Sequence, residues 1–171
     1  MQANLEKRLD YLTCTLLVGV GATAVMDLWG IARSPLLGFA QPDYGLLGRW
    51  LGHMTNGRFR HESIATSCPV RGERLIGWTA HYLIGIAFAA LLLAAWGSAW
   101  IARPAIGPAL IVGLGSVAAP FLLMQPGMGM GVAASRTRRP AAARVQSLLT
   151  HAVFGLGLYA AGWAARWLYL S

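Results

Sequence analysis

The chain has 171 residues, enough for one domain. Hydrophobic residues make up 56% and charged residues 12%, and the mean hydropathy is +0.53, against about 25% charged and about 45–50% apolar in an ordinary soluble domain. That composition excludes a soluble globule and points to a membrane protein. The net charge of +8 comes from 14 basic residues, all but Lys7 arginine, against 6 acids. The arginines lie between apolar segments, as anionic headgroups and membrane orientation require, so lipid and not nucleic acid is the expected partner. Cys14 and Cys68 have no CxxC spacing and define no disulfide framework.

Four apolar runs are long enough to cross about 30 Å of hydrocarbon at about 1.5 Å per residue. They are Tyr11–Ala32, Leu75–Trp96, Pro104–Gln125 and Ser147–Ala165, and they predict an all-α, integral membrane four-helix bundle in a single domain. The first run has signal-peptide features, with Lys7 and Arg8 ahead of it and Ala22-Thr23-Ala24 inside it. Glu6 and Asp10 spoil the basic leader, and the run continues through Val25, Met26, Leu28 and Trp29, so an uncleaved helix is expected.

The segment Arg33–Arg74 is too long to be only a connection. Asp43 can cap a short helix whose Leu46, Leu47, Trp50, Leu51 and Met54 form an apolar stripe, with Arg49 and His53 on the other side. That pattern predicts an amphipathic helix lying in the membrane interface, followed by a turn at Asn56-Gly57. Ten basic residues fall in this loop and the one after the third span, against four on the opposite side. The count predicts both loops in the cytoplasm and both termini outside. Trp163, Trp167 and Tyr169 suit interfacial anchors at the outer end of the last span.

Several stretches resemble a family of small bacterial four-helix inner-membrane proteins known only as a domain of unknown function. They are Gly21-Ala22-Thr23-Ala24-Val25-Met26-Asp27-Leu28-Trp29, Gly48-Arg49-Trp50-Leu51-Gly52-His53-Met54, Gly77-Trp78 with His81-Tyr82, and Ser147-Leu148-Leu149 with His151 and Phe154–Tyr159. The resemblance covers nearly the whole chain. It implies an inner-membrane location and no particular activity.

Ionisable groups inside a bilayer cost about 2.5–3.5 kcal/mol even on the mild insertion scale. Asp27, His81 and His151 are the ones within the predicted spans, and alternating span directions put all three in the cytoplasmic half. Each lies on a row of small residues: Gly19 and Thr23 with Asp27, Gly77, Gly85 and Ala89 with His81, and Ser147 and Gly155 with His151. Small residues let helix backbones approach, so the rows predict helix contacts and a polar site where the three side chains meet. Gln125 ends the third span on the same side. Pro120 removes one backbone donor and frees the Ser116 carbonyl, which predicts a kink.

The residues leave several readings of this site open. One is structural: an accessory subunit, or a partner in a membrane complex or homodimer, whose polar groups fix the bundle register. A proton or small-solute carrier needs only coupled Asp and His groups. A divalent metal would take Asp27, His81 and His151, with His53, His61 or Glu62 from the loop. Haem b would use His81 and His151 as axial ligands beside Gly85 and Gly155, and quinone is a related option. Arg49 is a further loop contributor. The run Gly127-Met128-Gly129-Met130-Gly131 reads as a flexible loop or as an amide nest, with Arg136, Arg138 and Arg139 over a phosphate. Arg74 and Arg144 stand at headgroup level and share the spacing Arg-x6-His-x3-Gly with His81, Gly85 and with His151, Gly155. That repeat suggests two parallel copies of one helical hairpin. No HExxH, GxSxG or P-loop is present, so soluble-type catalysis is not expected.

Overall fold

The computed structural model describes residues 2–38 and 41–170; the side chains of Lys7, Arg8 and Tyr169 lie outside the described residues. Among the described residues every regular element is helical. In chain order these are α1 (Gln2–Leu37), α2 (Tyr44–Met54), α3 (Glu73–Ala102), α4 (Ile106–Gly115), a π turn (Pro120–Met124), α5 (Gln125–Gly127), a 3-10 turn (Val132–Ala134) and α6 (Pro140–Leu170). Four stretches are long and apolar enough to cross a membrane: Tyr11–Leu36, Glu73–Ala102, Ile106–Gly127 and Pro140–Leu168.

The helices outrun three of the four apolar runs by several residues, because helix formers continue where hydropathy stops. Pro140 at the first helical position and Ala141, Ala142 and Ala143 start α6 well before Ser147. α1 runs unbroken through Ala22-Thr23-Ala24 and ends at Gly38, whose φ of +69° lets its N–H reach the Ser34 carbonyl at 3.0 Å. The predicted end of the second span at Trp96 coincides with Gly97, which breaks the dihedral pattern of α3 (φ 69°) before helix resumes to Ala102. At Pro120 the missing donor is absorbed as a π turn: Ala119 N–H takes the Ser116 carbonyl at 3.1 Å, and Gln125 N–H reaches back five residues to the Pro120 carbonyl.

The chain divides into two compact units. The first comprises residues up to Trp29, Tyr82–Gly115 and His151 onward. Its core gathers Val18 and Ala22 of α1, Leu92 and Leu93 of α3, Val112 of α4, and Phe154 and Leu158 of α6. The small-residue rows are the helix contacts: a Cβ on Gly19 would meet the Ile86 backbone, one on Gly85 would meet Thr23, and one on Gly113 would meet Gly155. The glycine of each Arg-x6-His-x3-Gly copy packs against another helix, Gly85 of α3 on α1 and Gly155 of α6 on α4.

The second unit comprises Gly30–His81 and Ser116–Thr150. Here α2 lies on the start of α3 through glycines. A Cβ on Gly48 would collide with the Glu73 carbonyl, and one on Gly77 with the Tyr44 carbonyl. Leu47, Ile64 and Met128 form the small core beneath. Asp43 caps α2 as expected, accepting from Gly45 N–H at 2.9 Å. The expected orientation of the helix needs correction, however. Gly45, Gly48 and His53 are buried together with Leu47, so the side opposite the apolar stripe, where Arg49 and His53 lie, is largely turned inward. The close glycine contact draws that side against α3, and its polar groups find partners there.

The loop arginine is one of those groups. Arg49 makes a two-pronged bond to Glu73 at 2.8 and 2.7 Å. Its other terminal nitrogen fans over the carbonyls of Ile64, Ala65 and Ser67 at 3.1–3.3 Å. Glu73 also accepts from Val70 N–H at 2.9 Å. One guanidinium thus closes the turn that leads into α3.

Candidate functional site

The antiparallel contact of α1 with α3 decides what Asp27 meets. Thr23 sits against Gly85, with its own hydroxyl bonded back to the Gly19 carbonyl at 2.8 Å. One turn further along α1 is Asp27, and one turn back along α3 from Gly85 is Tyr82. The Tyr82 hydroxyl accordingly donates to the Asp27 carboxylate. Tyr82 was not among the site residues expected from the sequence. The spacing signal was present, because the residue three before a contact glycine shares its helix face as fully as the residue four before it.

His81 is buried and has aromatic neighbours. Its ring stacks on Tyr44, the first residue of α2, at 4.0 Å and 23°, and Trp78 meets both, edge-on to Tyr44 at 4.6 Å and to His81 at 6.0 Å. His151 is half-buried, and its carbonyl lies beside Gly113 at the α4–α6 crossing. Gln125 is buried directly after the π turn; its backbone carbonyl accepts from Met130 N–H at 2.8 Å, while its side-chain oxygen has no hydrogen-bond partner among the described residues. A buried acceptor of this kind next to a π turn is a common mark of a functional position.

Arg33, counted in the sequence only as a loop charge, is buried within α1 at 5% exposure. It donates to Thr150 Oγ1 at 3.1 Å. With its amide oxygen turned to the guanidinium, Gln146 accepts from both terminal nitrogens at 2.7 and 3.0 Å. The clue was position: Arg33 precedes Pro35 and Leu36 inside a continuing helix.

Of the loop residues, His53 and His61 are brought together, with ring nitrogens 2.7 Å apart. Burial and the charge of Arg58 hold the His61 imidazole below the ordinary histidine range. Glu62 is exposed. The Gly127–Gly131 run, expected as an open loop or nest, is pinned to this segment. His61 N–H donates to the Gly127 carbonyl at 2.9 Å and Ile64 N–H to the Met128 carbonyl at 3.1 Å. Gly129 (φ +92°) lies so close to the Glu62 carbonyl that no side chain fits. Its glycines serve close backbone approach, and Trp50, whose indole donates to the Phe59 carbonyl at 2.9 Å, packs over Gly127.

Arg74, Arg136, Arg138, Arg139 and Arg144 are all exposed, and Arg144 donates to the Ala133 carbonyl at 2.8 Å. Among the described residues no three His, Cys, Asp or Glu side chains come together as metal ligands would. Gly85 packs against Thr23, and Gly155 against the Ala109–Leu110 backbone. Gly107 and Gly115 on α4 face open space, whereas Gly113 is used internally. Trp167 is exposed, and Trp163 lies under the Arg166 guanidinium at 4.8 Å.

The family described as "Protein of unknown function (DUF2938)" matches residues 16–165, so the chain belongs to that family. No curated protein and no solved structure matches it.

Proposed function

We propose that this chain is a multi-pass protein of the bacterial inner membrane, both termini outside, that takes up a proton or a small polar solute at the ionisable groups of its spans. The observation that carries this reading is the Tyr82–Asp27 bond, an ionisable pair within predominantly apolar spans. A carboxylate is costly in such surroundings, and in membrane proteins buried carboxylates concentrate along ion and proton paths. Asp27 is the group that accepts the proton or the solute's donor. Tyr82 orients the carboxylate and keeps one hydrogen bond on it in either protonation state.

Vesicles reconstituted with the purified protein and loaded with a pH-sensitive dye test the proton version under an imposed membrane potential. Uptake above protein-free vesicles that Asp27→Asn abolishes supports the reading. A folded wild-type protein without flux, or a flux unchanged in Asp27→Asn, refutes it and favours an accessory subunit. Orientation is tested separately with Asn4→Cys or Ser171→Cys in a chain carrying Cys14→Ser and Cys68→Ser. Labelling only after the membrane is breached would overturn the outside placement of the termini.

A further inference from the structure

His53 and His61 lie in the second unit, both buried, at 9% and 7% exposure. His53 Nε2 is 3.0 Å from the Cys68 carbonyl oxygen, and His61 Nδ1 is 3.4 Å from the Gly127 carbonyl oxygen. The remaining two nitrogens, His53 Nδ1 and His61 Nε2, face each other at 2.7 Å. A carbonyl oxygen only accepts, so each outer nitrogen must carry its hydrogen to make its bond. Two neutral imidazoles own two ring hydrogens between them. If both serve the carbonyls, two bare lone pairs confront each other across the inner gap. If one hydrogen moves into the gap, a carbonyl bond is lost. Three hydrogens make all three bonds, and the pair then carries one net positive charge. Four would set two N–H groups head to head.

We propose that the His53–His61 pair is a binding site for a single shared proton, and that this proton clamps α2, the Cys68 segment and the Gly127–Gly131 turn together. The inner distance suits a charge-assisted N–H···N bond. A metal ion about 2.0 Å from each nitrogen would hold them roughly 3.3–4 Å apart. Burial and the charge of Arg58 both disfavour a charge on His61, which suits His61 Nε2 to the acceptor role across the inner gap. From α2, Arg49 is turned to Glu73. The segment after His61 brings the exposed Glu62 and the exposed Cys68 thiol, with the Cys68 carbonyl on the pair, and Gly127–Gly131 brings only backbone.

The proposal goes beyond the span site, because the pair joins α2 to the segment that follows it and shares no residue with Asp27 and Tyr82. Its test is a titration of the wild-type chain in lipid nanodiscs, from about pH 5 to about pH 9, read by nitrogen NMR of labelled histidine and by amide exchange corrected for intrinsic rate. The expected result on the alkaline side is one step in which both rings move together with loss of one proton. Protection of the His61 and Ile64 amides should fall at least about tenfold across that step, as loss of a charged hydrogen bond implies. His61→Gln should remove the step. Two rings titrating independently, amide protection indifferent to pH, or a stoichiometric metal whose chelation changes the ring signals would each overturn the proposal. If His61→Gln does not fold, the wild-type titration decides alone.

Discussion

The Tyr82 hydroxyl donates to the Asp27 carboxylate one helical turn from the place where Thr23 closes on Gly85. Backbone contact and polar bond are therefore one feature: the glycine brings α1 and α3 close enough for the phenol–carboxylate bond. Removing the phenol strips a donor from a carboxylate with little access to water, and the expected cost of Tyr82→Phe is about 1–3 kcal/mol. Asp27→Asn keeps an acceptor for Tyr82 and should cost less. The double variant should be less destabilised than the sum of the two, with a coupling of at least about 0.5 kcal/mol in detergent unfolding. Strict additivity would mean that the two side chains do not act on each other.

Two glycines of α4 give a sharper test of helix packing, because they share an element and differ in surroundings. Gly113 faces the Gly155 backbone, whereas Gly107 has nothing within reach of an added methyl. Gly113→Ala forces α4 and α6 apart and should destabilise by about 2 kcal/mol or more, in the range of overpacked cores. Gly107→Ala should be neutral or stabilising by up to about 1 kcal/mol through helix propensity. Thermal melts of both variants in the same detergent separate the two; equal effects would contradict the described contacts.

The four long helices were legible because uninterrupted apolar runs of that length leave few alternatives, and the contact glycines because small residues recur at helical spacing. The inward face of α2 was not legible. Hydropathy weighs side chains, and Gly45, Gly48 and Gly52 have none, so the stripe of Leu46, Leu47, Trp50, Leu51 and Met54 dominated the reading. The pairing of His53 with His61 depends on the path the chain takes after Asn56-Gly57, which no periodicity encodes. Tyr82 was overlooked beside His81 because chemistry was ranked ahead of helix geometry. Arg33 was read as a loop charge because hydropathy ended the span one residue before it, while the helix continues to Leu37.

On the acid side, His61 sets a limit of its own. Its folded-state value lies below the ordinary histidine value of about 6.5. Below that pH the unfolded chain binds a proton that the folded chain refuses, so the unfolded state is favoured on acidification. The stability contributed by keeping His61 neutral is fully present above about pH 6.5 and declines as pH falls toward the lowered folded value. Melting temperatures measured downward from neutral pH should fall, and His61→Gln should flatten that fall. A variant with the same acid slope as wild type would show that other groups govern it.

The turn before α6 stores backbone strain that substitution can release. Ala133 and Ala134 both have left-handed dihedrals, with φ of 47° and 59°, a region where a Cβ crowds the following carbonyl at a cost of roughly 1–2 kcal/mol per residue. The geometry is held from several sides: the Ala133 carbonyl accepts from Arg144 at 2.8 Å, the Ala134 carbonyl from the Thr137 hydroxyl at 2.8 Å, and Arg136 N–H bonds the Met130 carbonyl at 2.9 Å. Ala133 is only half-buried, so its methyl contributes little packing, whereas Ala134 is buried at 1% exposure and would leave a small void. Ala133→Gly should therefore stabilise the protein by about 0.5–1 kcal/mol after glycine's greater unfolded-state freedom is counted. Ala134→Gly should gain less. Arg144→Ala removes one of the bonds that hold the strained turn and should erase most of the difference between Ala133→Gly and wild type, because the turn is then free to relax. Unfolding of the single and double variants side by side measures this, and a destabilised Ala133→Gly would mean that the left-handed turn is not the conformation the protein adopts.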